Sequence, residues 1–336
     1  MSLTRRALMS SLSATALSLT AVGCSSKSGS GSSGGTKIRF GYIADFNGSS
    51  LLAIANDQKL WQKAGLAPSI KVFTNGPIQI QALGAGDLDF GYIGPGAMWL
   101  PAGGKAKVIA VDTLTDADRV IAQPGITSLA QLAGRKVGVP EGTSGEMILN
   151  LALKKAGMSE SDVKKVPMDP STLVAAFSSG QIDGAGFYYP LIATIKKRVP
   201  KLVELAGDRD FPGNAFPTAF VSGPGTDPAL TQRVVGVLAE ANDWRAAHKD
   251  QAISLAARML QVPDDQARSD AANVELLTTA DLVAKTKDGT VDGWLDGLAR
   301  FFVGTGQLKA APAPATYYDG AAFVRAAQAG TKAAAR

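Results

Sequence analysis

The sequence of 336 residues contains one cysteine and one histidine, and both scarcities exclude whole classes of site. A single thiol forms no intrachain disulfide, and one cysteine with one histidine is too little for a typical zinc site. No nucleophilic side chain stands beside a base, and the glycine spacings of nucleotide-binding loops are missing. The sequence therefore predicts neither a metal ion nor a cofactor.

Charge of one sign is also not concentrated anywhere. The chain has 34 Lys and Arg against 29 Asp and Glu, a formal net charge of +5, and no run of five or six basic residues. We therefore expect no nucleic-acid partner. Hydrophobic residues make up 46% of the chain, which is typical of a folded protein, and a chain of this length usually divides into two lobes.

The N-terminus has the parts of an export signal. Arg5 and Arg6 precede an apolar stretch over 7–22, which is too short and too rich in Ser and Thr to be a permanent membrane helix. Residues 1–23 are therefore predicted to be a signal peptide. The junction ending at Cys24 resembles the lipobox of bacterial lipoproteins, in which cleavage leaves an acylated cysteine at the mature N-terminus.

A lipid such as palmitate on Cys24 would tie the protein to a membrane through the Ser/Gly-rich linker 24–35. This predicts a protein of the cell envelope, facing the periplasm or the exterior. The alternative is that Cys24 is an accidental small residue near an ordinary cleavage site. The Arg pair leaves both the general and the twin-arginine export routes open.

From residue 36 onward, strands alternate with helices, which predicts an α/β fold with mostly parallel sheets. Residues 227–302 are instead expected to be helical and to pack on the first lobe. The predicted first lobe is 36–122 with 223–336, and the second is 123–222. Each lobe contains a helix end, a glycine and an aspartate before a strand, at 83–92 and at 177–186.

Several segments together resemble the nitrate, sulfonate and taurine family of ABC-transporter substrate-binding proteins. They are Gly41-Tyr42, Ala82 to Gly91, Ile93 to Ala97, Ser128 to Val137, Gly142 to Ser144, Ala156-Gly157 and Ala175 to Gly184. The resemblance implies a two-lobed type II periplasmic-binding-protein fold that is not an enzyme. It also implies a small-molecule solute, an ABC permease with its ATPase, and a monomer that closes about hinges near 122–125 and 222–225.

The strand exit Phe187 to Pro190 departs from the family pattern, so the family's ligand does not transfer directly. Aliphatic sulfonates or taurine are expected first, then nitrate, a pyrimidine precursor or a small aromatic acid. The alternative is an enzyme on the same scaffold, such as a pyrimidine-precursor synthase or a hydroxymethylbilane synthase. The latter needs a cysteine, and the single cysteine lies in the leader.

Candidate ligand-binding residues follow the predicted strands. After the first two strands they are Asn47, Ser49, Ser50, Thr74 and Asn75, all of which are equally compatible with helix caps or turns.

The remaining candidates follow later strands. They are Gly94, Pro95, Gly96, Thr143, Ser144, Tyr188 and Tyr189. Glycines permit close approach of a ligand, and a helix start at Ser144 favours an anion. The alternatives are a tight turn, a capping box between Thr143 and Glu146, and tyrosine packing between the lobes.

Overall fold

The computed structural model describes residues 35–334. The signal peptide 1–23, Cys24 and the linker up to residue 34 lie outside the described residues. The strands are β1 Thr36–Ile43, β2 Leu66–Phe73, β3 Phe90–Ile93, β4 Lys107–Thr115, β5 Asp118–Ala122, β6 Lys136–Val139, β7 Lys164–Pro167, β8 Gly184–Tyr188, β9 Val203–Gly207, β10 Pro217–Ser222 and β11 Val274–Leu276.

Helices fill most of the connections between these strands. They are α1 Phe46–Asp57, α2 Leu60–Lys63, α3 Gly76–Gly84, α4 Trp99–Ala102, α5 Ser144–Lys155, α6 Pro170–Ser178, α7 Leu191–Arg198, α8 Pro228–Ala247, α9 Lys249–Leu260, α10 Asp264–Ala271, α11 Thr279–Lys287, α12 Thr290–Gly304 and α13 Gly320–Ala334. Within residues 35–334, no helix is both long and apolar enough to cross a bilayer.

The strands form two separate sheets. The first has the order β11-β4-β10-β3-β1-β2, and the second has the order β7-β6-β8-β5-β9. In the first, β1 pairs in parallel with β2 and β3, whereas β10 runs antiparallel between β3 and β4. In the second, β6 pairs in parallel with β7 and β8, and β5 runs antiparallel between β8 and β9. The predicted two-lobed α/β fold is confirmed.

The chain crosses between the sheets at two places that differ from the predicted boundaries. Asp116 and Ala117 alone separate β4 from β5, and the return lies between Gly207 and Pro217. The prediction assigned β5 to the first lobe and β10 to the second, and sheet pairing corrects both assignments. The physical reason is that the buried apolar residues of both strands, such as Val120 and Phe220, fit either sheet equally well.

The larger apolar cluster spans both lobes, including Val137 and Met147 of the second lobe, and a smaller cluster lies within the second lobe. In the first lobe, aromatic rings of neighbouring strands meet, with Phe40 and Phe90 at 5.8 Å and Tyr92 and Phe220 at 5.5 Å between centroids. In the second lobe, Phe177 and Phe187 are fully buried in a smaller cluster.

The C-terminal helices gather on the first lobe, where α8 and α13 contact β4. Helix α8 contacts α1 and α13, and α1 also contacts α9. The expected all-helical stretch 227–302 is interrupted by β11, which pairs antiparallel with β4 at the sheet edge. A three-residue strand carries too short an apolar pattern to be distinguished from its helical surroundings.

Candidate functional site

A cleft between the two sheets collects residues from both lobes. About 50 Å³ of the cleft can hold the centre of a water-sized molecule. Its walls are Ile43, Asp45, Asn47, Asn75, Gly76, Tyr92, Gly94, Pro95, Ala97, Thr115, Ala117, Asp118, Thr143, Ser144, Tyr188, Tyr189, Thr218 and Asp270. The C-terminal ends of β1, β3 and β8 and the starts of α1, α3 and α5 point at this space, which is where open α/β sheets bind ligands.

Most of the predicted ligand residues line this cleft. They are Asn47, Asn75, Gly94, Pro95, Thr143, Ser144, Tyr188 and Tyr189. The sequence pattern therefore located both walls, because polar loops after parallel strands gather at one sheet edge.

The other four predicted residues are not among the lining residues. Ser49 Oγ donates to the Asp45 carbonyl oxygen at 2.6 Å, and Ser50 Oγ accepts from Arg245 Nη1 at 2.9 Å. Both serines are fully buried inside the first lobe. Thr74 is exposed, and Gly96 packs against the backbone of α5.

At the start of helix α1, on the first wall, two N–H groups are bonded to carboxylates. Asp45 caps it by accepting from the Gly48 N–H at 2.6 Å, and Asp270 Oδ2 accepts from the Phe46 N–H at 2.6 Å. Two carboxylates at a helix start are favourably placed, because the N-terminal end of a helix carries partial positive charge. These N–H groups are therefore not free for a bound anion.

Asn47, next along α1, belongs to a buried polar network. Its Oδ1 accepts from Thr113 Oγ1 at 3.1 Å, and Thr113 Oγ1 lies 2.9 Å from Thr218 Oγ1. Tyr92 stands on the same wall, and its hydroxyl bonds to Thr218. The network fixes the amide and hydroxyl groups of the first wall through β4 and β10.

The second wall is built around the start of α5. The Gly145 N–H donates to Thr143 Oγ1 at 3.3 Å, and Thr143 Oγ1 donates to the Pro140 carbonyl at 2.6 Å. Glu146 accepts from the Gly142 N–H at 2.8 Å, one residue before the N-cap, so the expected box with Thr143 does not form in its usual pattern. These local bonds leave Ser144 facing the cleft.

The two walls touch each other beside the pocket. The Gly96 N–H approaches Ser144 Oγ at 3.4 Å, and Trp99 Nε1 donates to the Gly142 carbonyl at 3.3 Å. A Cβ on Gly96 would lie 2.1 Å from the Ser144 nitrogen, so this approach requires glycine. Gly96 is therefore a contact between the lobes rather than part of the pocket lining.

Three aspartates line the pocket, and sequence analysis missed all of them. Burial and the charge of Asp270 hold the pKa of Asp45 well above its ordinary value. Burial likewise raises the pKa of Asp118 strongly, helped by the charge of Asp208, and burial raises the pKa of Asp270 to about 6. Nothing in the sequence connects Asp45, Asp118 and Asp270 with one another.

Tyrosines complete the second wall. The Tyr188 ring lies 4.8 Å from the Phe187 ring, and burial raises the pKa of its hydroxyl far above the ordinary value. Tyr189 is held by its hydroxyl, which donates to Glu204 at 2.5 Å and accepts from Lys196 at 2.6 Å. The pocket therefore combines aromatic surface with carboxylates.

The lining contains no Lys, Arg or His among the described residues. In the same part of the chain, no cluster of three or more His, Cys, Asp or Glu side chains has a metal-binding arrangement. The chemistry available at the site is hydrogen bonding, carboxylate charge and aromatic contact.

Comparisons with known proteins agree with this architecture. Residues 49–205 match the family model described as NMT1/THI5 like. A putative binding protein of Brucella abortus (strain 2308) is 52% identical over 285 residues, covering 84% of this chain and 89% of that protein. A putative aliphatic sulfonates-binding protein of Escherichia coli (strain K12) is 26% identical over 240 residues, covering 67% and 72%.

Two solved structures show the same fold. The alkanesulfonate-binding protein SsuA from Xanthomonas axonopodis pv. citri, bound to MOPS, matches with a TM-score of 0.64 and 20% identity, covering 84% of this chain and 98% of that one. The desulfurization enzyme DSZB matches with a TM-score of 0.64 and 16% identity, covering 88% and 99%. The fold thus serves both binding proteins and an enzyme. On the evidence of its Brucella relatives and the matching family model, the chain belongs to the NMT1/THI5-like family, as the resemblance to ABC-transporter substrate-binding proteins predicted.

Proposed function

We propose that this protein is the extracytoplasmic solute-binding component of an ABC importer. It would capture a small organic solute between its lobes and deliver it to a membrane permease driven by an ATPase. The observation that carries this proposal is the convergence of strand ends and helix starts from both sheets on one pocket. Relatives named as binding proteins support the same role.

Capture would proceed by closure of the lobes around the solute. The short crossing at Asp116–Ala117 and the return between Gly207 and Pro217 are the natural hinges, because they are the places where the chain passes between the sheets. Asn47 would hold the solute from the first wall, and Ser144 and Tyr188 from the second. Solution scattering of the purified protein, with and without a tight ligand, should show a smaller radius of gyration in the bound state.

The identity of the solute is proposed at the level of class. Names of relatives favour an aliphatic sulfonate or a taurine-like compound, and nitrate, a pyrimidine precursor and small aromatic acids belong in the same screen. A thermal-shift screen tests capture directly, since a ligand at 100 times its Kd adds roughly 2.7 kcal/mol of stability. If no small solute in the screen stabilises the protein, the proposed function is contradicted.

The proposed role is binding without catalysis. The described pocket offers hydroxyls and carboxyls but no cysteine or histidine to activate a nucleophile. An enzyme on this scaffold remains the second candidate, because the desulfurization enzyme shares the fold. Mass spectrometry of a stabilising ligand after prolonged incubation separates the two, since a binding protein returns the solute unchanged.

We further propose that the protein is a monomer anchored by lipid on Cys24. The motivation is the small-residue junction at 20–24 and the Ser/Gly-rich stretch that follows it. Cys24→Ala should release the protein from membranes and abolish incorporation of labelled palmitate. Equal labelling of the variant and the unmodified protein would contradict the anchor, and light scattering of the released variant would measure its oligomeric state.

A further inference from the structure

We infer that the captured solute carries a positively charged nitrogen, an ammonium or amidinium group, which Asp118 binds with Asp45 and Asp270 alongside. The inference rests on the proposed function and names the class of solute that the pocket accepts. It differs from a purely anionic solute such as an unsubstituted alkanesulfonate.

The three carboxyl groups reach the cleft from distant parts of the chain. Asp45 follows β1, Asp118 begins β5, and Asp270 lies near the end of α10. Burial is the main cause that raises the pKa of Asp45, and the charge of Asp270 adds to it. At Asp118, burial and then the charge of Asp208 raise the pKa, with a smaller contribution from Asp45. Like charges gathered in a partly buried space are unfavourable unless a cation joins them.

Asp118 supplies an independent sign of a missing partner. Its side chain is part of a residue only 2% exposed, yet its Oδ2 has no hydrogen-bond partner. A buried carboxylate oxygen without a donor costs free energy, so native proteins rarely leave one unpaired. Because Asp118 also lines the pocket, a donor group on the solute would satisfy it.

No basic side chain of the described residues donates a hydrogen bond to the unpaired oxygen of Asp118. Arg119, the neighbour of Asp118 in sequence, is engaged elsewhere: its Nε donates to Glu204 at 3.1 Å and its Nη1 to the Asp118 carbonyl at 2.8 Å. Its remaining ion pair is with Asp116 at 3.5 Å, outside the pocket lining. A cation on the solute would therefore be the partner that favours ionisation of carboxyl groups whose pKa burial raises.

The rest of the lining suits a cation better than an anion. Tyr92 and Tyr188 contribute aromatic surface to the lining, and ring faces attract ammonium and amidinium groups. The Tyr189 ring is already contacted by Arg119 and Lys196. At each helix start at the pocket, one N–H already has a side-chain acceptor within the protein: Gly48 N–H bonds to Asp45, Ile78 N–H to Asn75 and Gly145 N–H to Thr143. An anionic solute would face the three carboxyl groups without a compensating charge.

Matched solutes test the inference. Thermal shift and titration calorimetry on the full-length protein would compare butylamine, butanol and butane-1-sulfonate, and then benzamidine, benzamide and benzenesulfonate. We expect the charged-nitrogen member of at least one series to bind about tenfold or more tightly than its neutral and anionic counterparts. Binding should release protons, because a nearby cation favours ionised carboxyl groups. Calorimetry in buffers of different ionisation enthalpy measures that release.

Variants connect the preference with the pocket. Asp118→Asn and, separately, Asp45→Asn should each weaken binding of the preferred amine about tenfold or more. Asp250→Asn is the matched control, because it removes an exposed carboxylate on α9 that does not line the pocket. Its affinity should stay within about twofold of the unmodified protein.

The outcomes separate the two levels of proposal. Tighter binding of a sulfonate or a neutral solute, with proton uptake or none, overturns the inference and leaves solute capture intact. Amine binding unchanged in both Asp118→Asn and Asp45→Asn also overturns it. If no member of either series and no solute of the wider screen binds, both the inference and the proposed function fail.

Discussion

The two walls of the cleft are held in place by different means. On the first wall, Asn47 is bonded through Thr113 to Thr218, and Ser50 in the same helix meets the buried Arg245. On the second wall, Thr143 is held by bonds to its own loop. The first wall is thus tied to residues far away in sequence, whereas the second is fixed by a local helix cap.

Two ion pairs, one from each lobe, differ in burial. Arg245 and Asp112 pair at 2.5 Å with both side chains 1% exposed, inside the first lobe. Arg135 and Asp183 pair at 3.1 Å in the second lobe with 48% and 34% exposed. A buried charge needs its ion-pair partner because it has lost its hydration, whereas an exposed charge is largely solvated by water. Disruption of the first lobe should therefore cost more than the equivalent change in the second.

Arg245→Ala is expected to have the largest effect. It leaves Asp112 buried without a cation and removes bonds to Ser50 and Asn242. Removing one member of a buried pair costs about 3–5 kcal/mol. Arg135→Ala is the control in the second lobe, where the loss should be about 0–1 kcal/mol. Chemical denaturation measures the free energy of unfolding, and equal losses in the two variants would contradict the difference between the lobes.

Gly96→Ala should act on the contact between the walls. The added methyl group would overlap the backbone at Thr143 and Ser144, so the lobes could approach less closely. Overpacking of this kind costs about 1–3 kcal/mol. Because the overlap destabilises the closed form, it should weaken solute binding. Gly293→Ala is the control, because its added Cβ meets no atom within 4 Å. Unchanged affinity for a solute found by the screen would contradict the role of this contact.

Stability of the solute-free protein should rise as the pH falls. Burial raises the pKa of Asp270 to about 6 and that of Asp208 to about 8, against 3.8 in the unfolded chain. The folded state therefore binds protons more tightly, and its advantage grows as pH drops through these values towards 3.8. Asp270 alone should add about 1 kcal/mol between pH 7 and pH 5, with Asp208 acting in the same direction.

Melting temperatures across this pH range provide the measurement, with Asp270→Asn as the comparison. The variant should lose part of the increase, because its amide does not titrate. A melting temperature that falls steadily from pH 7 to pH 5 would contradict the raised pKa values of Asp270 and Asp208.

Ser144→Ala is expected to have the smallest effect. A neutral hydrogen bond lost from the second wall costs about 0.5–1.5 kcal/mol of binding free energy, with little change in folding stability. Ser178→Ala in the same lobe is the control, because its side chain lies outside the pocket lining. Calorimetry with a solute from the screen decides it, and equal affinities for both variants would place Ser144 outside the site.

Sequence patterns predicted what depends on local order along the chain. The alternation of strands and helices indicated two α/β lobes, and polar loops after strands located Asn47, Asn75 and Ser144 at the cleft. Each of these signals is carried by neighbouring residues, so one sequence suffices to recognise it.

Pairings over long distances were not predictable in the same way. The residues around Asp118 and Asp270 do not indicate that these aspartates line the same pocket as Asp45. Their positions depend on the crossing between the sheets and on the packing of α10. Ser50 was wrongly grouped with the lining for the converse reason: its partner Arg245 comes from 195 residues away. The prediction of which sheet contains β5 and β10 was also wrong, since buried apolar residues do not specify the sheet that a strand joins.

The shortness of the crossing at Asp116–Ala117 has a kinetic consequence. Asp118 is the first residue beyond it, so in a rotation about this segment it lies near the axis and moves little, whereas Ser144 travels farther. A solute arriving at the open cleft would meet Asp118 already in position and Ser144 only afterwards. Substitution of Asp118 should then slow association, and substitution of Ser144 should hasten escape, so the cleft would engage its solute in a fixed order.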